Sequence, residues 1–337
     1  MPCLTVFPVT EVSQVGEVRR AVARLGAAIK LSETSQGRLA IIATELGTNL
    51  VKHAQAGLIL FQSLDIAAGP AVEIIAVDSG PGIANTDRAL SDGFSTAGTG
   101  GNGLGAAKRL SDEFDIYSQP LIGTVIVSRV FDAAPISARR EMSAWGAFSV
   151  AAPHETRCGD DWCCWESGGR FAVMVADGLG HGPLASDAAE AAISTFKSAP
   201  DELPDVLLTK AHKSLCGTRG AALAVASIQS DAGILTFAGV GNISAAIAAV
   251  GPRRGLCSHN GAIGVQVRKV QRFEYPYADR DLLILHSDGI QNRWNIDNYP
   301  GLIQRHPSIV AAILFRDFKR GRDDLTVMVM RLRKLKA

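Results

Sequence analysis

The chain has 337 residues, 47% of them hydrophobic and 20% charged, with 34 lysines and arginines against 33 acidic side chains. That length allows two domains that each bury a core, and the composition excludes a disordered or fibrous protein. A net charge of +1 supplies no overall attraction to nucleic acid or to an anionic membrane, so neither partner is expected.

No apolar run reaches the length of a membrane span, and the N-terminus lacks the layout of a signal peptide, which makes a cytoplasmic protein the expectation. The six cysteines agree. Cys158, Cys163 and Cys164 lie close together in sequence, but no paired CxxC or distant His completes a zinc set, so reduced structural thiols are expected. The basic residues near the end (Arg331, Arg333, Lys334, Lys336) read as a solvated tail.

In chain order, a helical pattern over 36–53 precedes strand-like runs at 58–66, 72–77 and 124–131. A Gly-rich loop at 98–105 leads into a helix over 106–112. The stretch 132–140, with Pro135 and the Arg139–Arg140 pair, reads as a linker. This gives domains at 1–132 and 141–337 with 133–140 between them. Beyond it come strands at 171–176, 221–228, 234–239, 282–285 and 325–332, and helices at 184–196 and 204–214. Both halves read as α+β with mostly antiparallel strands and helices on sheet faces. They share no motif order, and no internal repeat is visible.

In the first half, Glu45 and Asn49 are four residues apart on a helix and share a face beside the apolar stripe Leu39, Ile42, Leu46 and Leu50. An amide oxygen suits magnesium, and a carboxylate can orient or deprotonate a hydroxyl. Taken alone, a solvated helix edge is the better explanation of the pair. Asp78 ends an apolar strand and is followed by Gly80 and Gly82, so backbone can approach a planar ligand while the carboxylate accepts from an exocyclic amine. A simple turn is the alternative. The run Gly98-Thr99-Gly100-Gly101-Asn102-Gly103-Leu104-Gly105 opens a helix, where backbone N–H groups and the helix dipole favour phosphate. No P-loop lysine follows it, and no βαβ unit surrounds it.

In this order the three features resemble the N, G1 and G2 boxes of the Bergerat-fold (GHKL) ATPases over about residues 8–131. Residues 44–54 and 103–110 look like the RsbT branch of anti-sigma-factor kinases. The resemblance implies that Asn49 binds Mg2+, that Asp78 with Gly80 and Gly82 reads adenine, and that Gly101, Gly103 and Gly105 cover the phosphates of ATP. Glu45 would be the base for a protein serine hydroxyl.

The second half carries four acidic motifs: Gly159-Asp160-Asp161-Trp162, Asp177-Gly178-Leu179-Gly180-His181-Gly182, Ser287-Asp288-Gly289 and Gly321-Arg322-Asp323-Asp324. Aspartates at the ends of buried strands are costly to desolvate and repel one another unless cations lie between them. Oxygen-only ligation suits magnesium or manganese, and a pair of such ions can aim water in line at phosphorus. Each Asp-Gly alone is an ordinary turn.

As a set, the four resemble the SpoIIE-like branch of the metal-dependent (PPM) protein phosphatases over about 143–333, with RsbX as the compact comparison. The resemblance implies that Asp177 bridges two metals, that Gly178 offers its carbonyl, and that Asp288 and Asp323 complete the more buried site. Asp160 would hold metal-bound water or ligate directly, while Asp161 and Asp324 would support. His181 would protonate the leaving serine oxygen, or else be a turn residue, and Arg157 would meet the substrate phosphate.

The implied fold is α+β, a Bergerat-type α/β sandwich followed by a PPM-type α-β-β-α sandwich. The implied cofactors are two Mn2+ or Mg2+ ions in the second domain, and ATP with Mg2+ in the first. The implied partner is a phosphoserine or phosphothreonine protein, a STAS-type anti-sigma-factor antagonist, phosphorylated by one half and dephosphorylated by the other. Two rivals stand beside this reading: a phosphatase gated by an ATP-sensing domain, and a non-catalytic partner-binding regulator.

Overall fold

The computed structural model describes residues 4–54, 57–66, 69–90, 103–132 and 144–334. The chain divides into two compact units, Pro2–Ser143 and Ala144–Ala337. The expected linker at 133–140 and the glycine loop as far as residue 102, Gly101 included, lie outside the described residues.

The N-terminal unit runs β1 (Thr5–Pro8), α1 (Val12–Ala28), α2 (Glu33–His53), β2 (Leu58–Ile66), β3 (Gly69–Val77), α3 (Thr86–Ala89), α4 (Gly103–Leu110), β4 (Glu113–Gln119) and β5 (Gly123–Phe131). Its strands form one antiparallel sheet in the order β1-β2-β3-β5-β4. Helix α2 begins earlier than the apolar pattern alone indicates, because Ser32 caps it by accepting from the Ser35 N–H at 3.3 Å. Glu33 in its first turn and Lys52 and His53 in its last complement the helix dipole. Leu39, Ile42, Ala43, Leu46 and Leu50 recur at helical spacing and pack with Val18 and Val22 of α1 onto Ile59, Phe61, Val72 and Ile74 of the sheet. The result is a two-layer α/β sandwich. Opposite register positions on the strands gather a buried ion cluster: Arg129 Nε donates to Glu73 at 2.8 Å and Nη1 to Glu113 at 3.1 Å.

The C-terminal unit continues with β6 (Trp145–Val150), β7 (Asp160–Ser167), β8 (Arg170–Gly178), α5 (Pro183–Ser198), α6 (Pro204–Ser214), β9 (Ala221–Gln229), β10 (Ile234–Val240), β11 (Ser244–Ala248), β12 (Arg254–Gly255), β13 (Gly261–Ala262), β14 (Gln266–Val267), β15 (Phe273–Pro276), β16 (Leu282–His286), α7 (Pro307–Phe318) and β17 (Leu325–Arg331). Two five-stranded antiparallel sheets result, in the orders β15-β10-β9-β8-β7 and β12-β11-β16-β17-β6. Helices α5 and α6 cover the first sheet and α7 the second, so the layers are α-β-β-α, as the resemblance implies.

Strand alternation decides which side chain enters which layer. In β8, Ala172, Met174 and Ala176 face the α5–α6 core, which leaves Val173, Val175 and Asp177 for the layer between the sheets. There Trp162 of β7 meets Trp145 of β6 edge-on at 5.2 Å. On the other side of the second sheet Phe148 meets Phe315 of α7 at 5.9 Å. Arg331, expected as part of a solvated tail, instead donates to the carbonyls of Ile303 and Arg305 at 2.8 and 2.6 Å. The five described cysteines are free thiols. Among the described residues no helix is long and apolar enough to cross a membrane.

Candidate active sites

In the N-terminal unit, Glu45 and Asn49 lie half-buried on the C-terminal half of α2. The first residue of α4 abuts them: a Cβ on Gly103 would stand 2.6 Å from Glu45 Oε2 and 3.8 Å from Asn49 Oδ1. The Asp78 turn reaches the same helix end, since a Cβ on Gly80 would lie 2.9 Å from the His53 carbonyl oxygen. Asp78 is held in place by its own neighbours. Its Oδ1 accepts from the Gly80 N–H at 2.7 Å and the Thr124 N–H at 3.3 Å, and its N–H donates to the Thr124 carbonyl at 2.9 Å.

Glu45, Asn49, Asp78, Gly80 and Gly103 therefore converge on one end of α2. Gly82 has φ near 70° and packs against Gln119, and Gly105 is buried within α4. The buried Asn49 Nδ2 has no hydrogen-bond partner among the described residues. A buried amide left unpaired is costly unless a polar ligand completes it, so this site fits a nucleotide.

In the C-terminal unit, Asp160 opens β7 and Asp177 nearly closes β8, and the two are directly opposed across the antiparallel pair. Like charges placed this way repel. Two further loops bring more carboxylates to the same end of the sandwich. Asp288 follows β16, while Asp323 and Asp324 precede its neighbour β17. Gly289 lies so close to the Asp324 carbonyl that a side chain there would collide with it. The two loops are cross-linked besides: Ser287 N–H donates to the Thr326 carbonyl at 3.0 Å, and Thr326 N–H to the Ser287 hydroxyl at 2.9 Å.

Burial and this crowding govern the protonation of the group. Burial, and after it the Asp177 charge, pushes the Asp160 carboxyl well above the usual carboxylate range, with the Ser287 hydroxyl opposing. Burial, followed by the charges of Asp288, Asp323 and Asp324, pushes Asp177 up to about 7. Asp160 Oδ2 is buried with no donor among the described residues. Among those residues, no three His, Cys, Asp or Glu side chains stand close enough together, as placed, to hold a metal ion as a group. Magnesium does not need one, because it keeps several waters and takes one or two carboxylates. The undonated oxygen and the repelling carboxylates fit divalent cations, with Asp160, Asp177, Asp288 and Asp323 as the side chains that would hold them. Gly178, whose carbonyl is also a candidate ligand, is buried against the Ala185 carbonyl of α5, which excludes any larger residue.

Adjacent aspartates part company. Asp161 points to the opposite face of β7 from Asp160, towards α5, where Lys197 and Glu190 influence it. Asp324 is buried and its Oδ1 accepts from the Ala152 N–H at 2.8 Å, whereas Asp323 is exposed beside the cleft. His181 lies at the exposed rim, its Nδ1 2.6 Å from Glu155 Oε1. Arg157 is committed elsewhere, with Nη2 2.8 Å from both Asp187 and Glu190 of α5.

Sequence reasoning missed several residues at this end. Asn242 Nδ2 donates to Asp288 Oδ2 at 2.9 Å. His286 is buried between the Ser287 carbonyl, to which its Nδ1 donates, and Trp294, whose indole N–H donates to Nε2 at 2.9 Å. Gln291, Arg320 and Arg322 line a cleft of about 420 Å3 together with Asp288 and Asp323. Only Arg322 carried a signal, by its place next to Asp323. Asn242, Gln291 and Arg320 come together through strand pairing alone.

An α-β-β-α sandwich with aspartates at one end of its paired sheets, preceded in the chain by a Bergerat-type sandwich, defines a phosphatase-like domain joined to an ATPase-like one. Comparison with known proteins agrees. The model for Stage II sporulation protein E (SpoIIE) matches residues 167–333, and that for the histidine kinase-like ATPase domain matches residues 8–129. The serine/threonine-protein kinase RsbT of Bacillus subtilis (strain 168) is 32% identical over 124 residues, which are 37% of this chain and 91% of RsbT.

Among solved structures, one from work on the bacterial stressosome as a modular system adapted to control secondary messenger signalling superposes with a TM-score of 0.52. It is 28% identical and covers 57% of this chain and all of its own. RsbX in complex with magnesium superposes with a TM-score of 0.50 at 20% identity, over 56% of this chain and 94% of its own, a likeness of fold. Through its N-terminal domain the chain belongs to the RsbT-type family of histidine kinase-like ATPases, and it carries a SpoIIE-type phosphatase domain after it.

Proposed function

We propose that the protein is a partner-switching enzyme whose C-terminal domain removes phosphate from a phosphoserine or phosphothreonine protein and whose N-terminal domain phosphorylates a serine on such a protein. The carrying observation is the cross-strand pair Asp160–Asp177, joined at one sheet end by Asp288 and Asp323. Carboxylates crowded at one sheet end, from buried Asp160 to exposed Asp323, repel one another and have no structural benefit unless cations neutralise them. Asp177, Asp288 and Asp323 would hold them directly, with the Gly178 carbonyl, and Asp160 directly or through water. Bound divalent ions, Mn2+ or Mg2+, supply Lewis acidity at phosphoryl oxygen and water.

The protein's own groups do the rest. Asn242 fixes the rotamer of Asp288, Ser287 holds Asp160, and Glu155 orients His181 at the rim as proton donor to the leaving serine oxygen. In the N-terminal domain Asn49 would take the Mg2+ of ATP, Asp78 the adenine amine and the start of α4 the phosphates, with Glu45 as base for the incoming hydroxyl. The likeness to RsbT supports a small STAS-type antagonist as the shared substrate, and the need for ATP favours the cytoplasm as the setting.

The test uses the full chain with a phosphoserine peptide and an aryl phosphate, with Mn2+ added and then chelated. Metal-dependent turnover that is lost in Asp177→Asn, while ATP-analogue binding persists, is the expected result. A folded protein without turnover in any divalent metal overturns the phosphatase reading, and loss of both functions in the variant refutes two independent sites.

A further inference from the structure

Arg157, the arginine that sequence reasoning assigns to the substrate phosphate, spends its guanidinium on two carboxylates of α5. Two other arginines are better placed. Arg320 and Arg322 line the cleft of about 420 Å3 whose remaining lining is Asp288, Asp323 and Gln291. Both are exposed, and neither makes an ion pair or side-chain hydrogen bond with any described residue. An arginine next to two aspartates normally pairs with one of them. Here the aspartates face the metal end of the sandwich and the guanidiniums remain available.

The backbone holds this arrangement stiffly. The segment after α7 is stitched to the Asp288 turn: Ile290 and Lys319 form an antiparallel bridge, Gln291 N–H donates to the Phe318 carbonyl at 2.9 Å, and Arg320 N–H donates to the Gly289 carbonyl at 2.8 Å. Gly321 then takes a left-handed φ of 71°, a turn that glycine allows without strain. It carries the chain from Arg320 to Arg322 and directly on to Asp323. The two arginine backbones are thus anchored to the same two loops that carry Asp288 and Asp323.

We propose that Arg320 and Arg322, with the Gln291 amide beside them, form the receptor for the dianionic phosphoryl group of the substrate. This rests on the phosphatase reading and extends it to substrate recognition. Planar guanidiniums bind tetrahedral oxyanions through paired N–H donors, and a cleft shared with the metal-holding carboxylates sets the phosphorus next to them. Without the receptor a dianion approaching Asp288 and Asp323 meets repulsion, so these arginines act chiefly on binding. They touch substrate and not metal.

The experiment compares the full chain with Arg320→Ala/Arg322→Ala and with Arg320→Lys/Arg322→Lys, all in Mn2+. It measures inorganic phosphate binding by calorimetry, phosphate inhibition, kinetics on a phosphoserine peptide and an aryl phosphate, and Mn2+ affinity. The alanine pair should weaken phosphate binding and raise both KM values about tenfold or more, with Mn2+ affinity unchanged and kcat altered far less. The lysine pair, which keeps charge but loses the fork, should recover part of the loss. Unchanged phosphate affinity, or a loss explained by weaker Mn2+ binding, overturns the proposal. So does a KM increase confined to the peptide, which would make the arginines readers of the protein surface around the phosphate. Absence of turnover in the unaltered chain would count against the phosphatase reading, while phosphate binding would still decide the role of the arginines.

Discussion

Asp177 should weaken the metal-free fold that it serves, and replacing it should strengthen that fold. Burial and the charges of Asp288, Asp323 and Asp324 push its carboxyl from 3.8 to about 7. A group whose pKa is raised on folding contributes full stability below its unfolded value and loses it as pH rises through the folded value. The window here is therefore pH 3.8 to 7. At pH 8 the ionised carboxylate costs the metal-free domain up to ~4 kcal/mol, from about three pK units at ~1.36 kcal/mol each. At pH 5 the cost falls below ~2 kcal/mol by the same linkage. Asn cannot ionise, so Asp177→Asn should gain these amounts in chelator.

The four tryptophans, Trp145, Trp162, Trp165 and Trp294, all belong to the C-terminal unit, so intrinsic fluorescence follows that unit within the intact chain. In urea at pH 8 with chelator, the variant's midpoint should rise by up to ~1.3–2 M, given a slope of ~2–3 kcal/mol/M for a domain of this size. The gain should shrink by more than half at pH 5. With Mn2+ the order should reverse, because the native protein alone gains the binding linkage. A variant equal to or weaker than the native protein in chelator at pH 8 would mean that the ionised Asp177 carboxylate costs the metal-free domain nothing.

Three more outcomes follow from single contacts. Burial lowers His286 from 6.5 to about 4, so its contribution to stability is present above pH 6.5 and drains as pH falls towards 4, by up to ~3 kcal/mol. In saturating Mn2+, His286→Asn should flatten that acid limb of the fluorescence-detected stability curve. Glu45→Gln should leave ATP-analogue binding within about twofold but cut phosphoryl transfer to serine ~100-fold or more, read by single-turnover transfer to a STAS-type protein. Glu73→Ala strips the fully buried Arg129 of a carboxylate 2.8 Å away and should destabilise the N-terminal unit by ~3–5 kcal/mol, as measured by calorimetry.

Much of the fold was legible because its strands are continuous apolar runs between glycine and aspartate turns. The run 171–176 lies within β8, which is buried on both faces, and 325–332 overlaps β17 apart from its last residue. Other elements announce themselves less. β7 reads Asp-Asp-Trp-Cys-Cys-Trp-Glu-Ser and has an exposed end, so neither alternation nor an apolar run marks it. Helix α7 is apolar nearly all round and lies buried against β6 and β17. Periodicity cannot separate such a segment from a strand.

The site shows the same division between what lies in the residues and what lies in the register. Both Asp-Asp doublets look symmetrical as sequence, yet the fold gives their members different surroundings. In 160–161, strand alternation sends one carboxylate between the sheets and the other towards α5. In 323–324, the second is buried, with Oδ1 accepting from Ala152 N–H and Oδ2 left without a hydrogen-bond partner among the described residues, while the first stays exposed at the cleft. A one-residue slip of β7 would exchange the roles of Asp160 and Asp161 and pair Asp177 with the wrong partner. Trp162 against Trp145 and Cys163 in the α5–α6 core oppose that slip, because it would carry the indole into the helix layer. The hydrophobic packing of β7 therefore fixes which aspartate faces Asp177 between the sheets, and on the proposed function mutations at Trp162 should disturb metal affinity, read by Mn2+ titration.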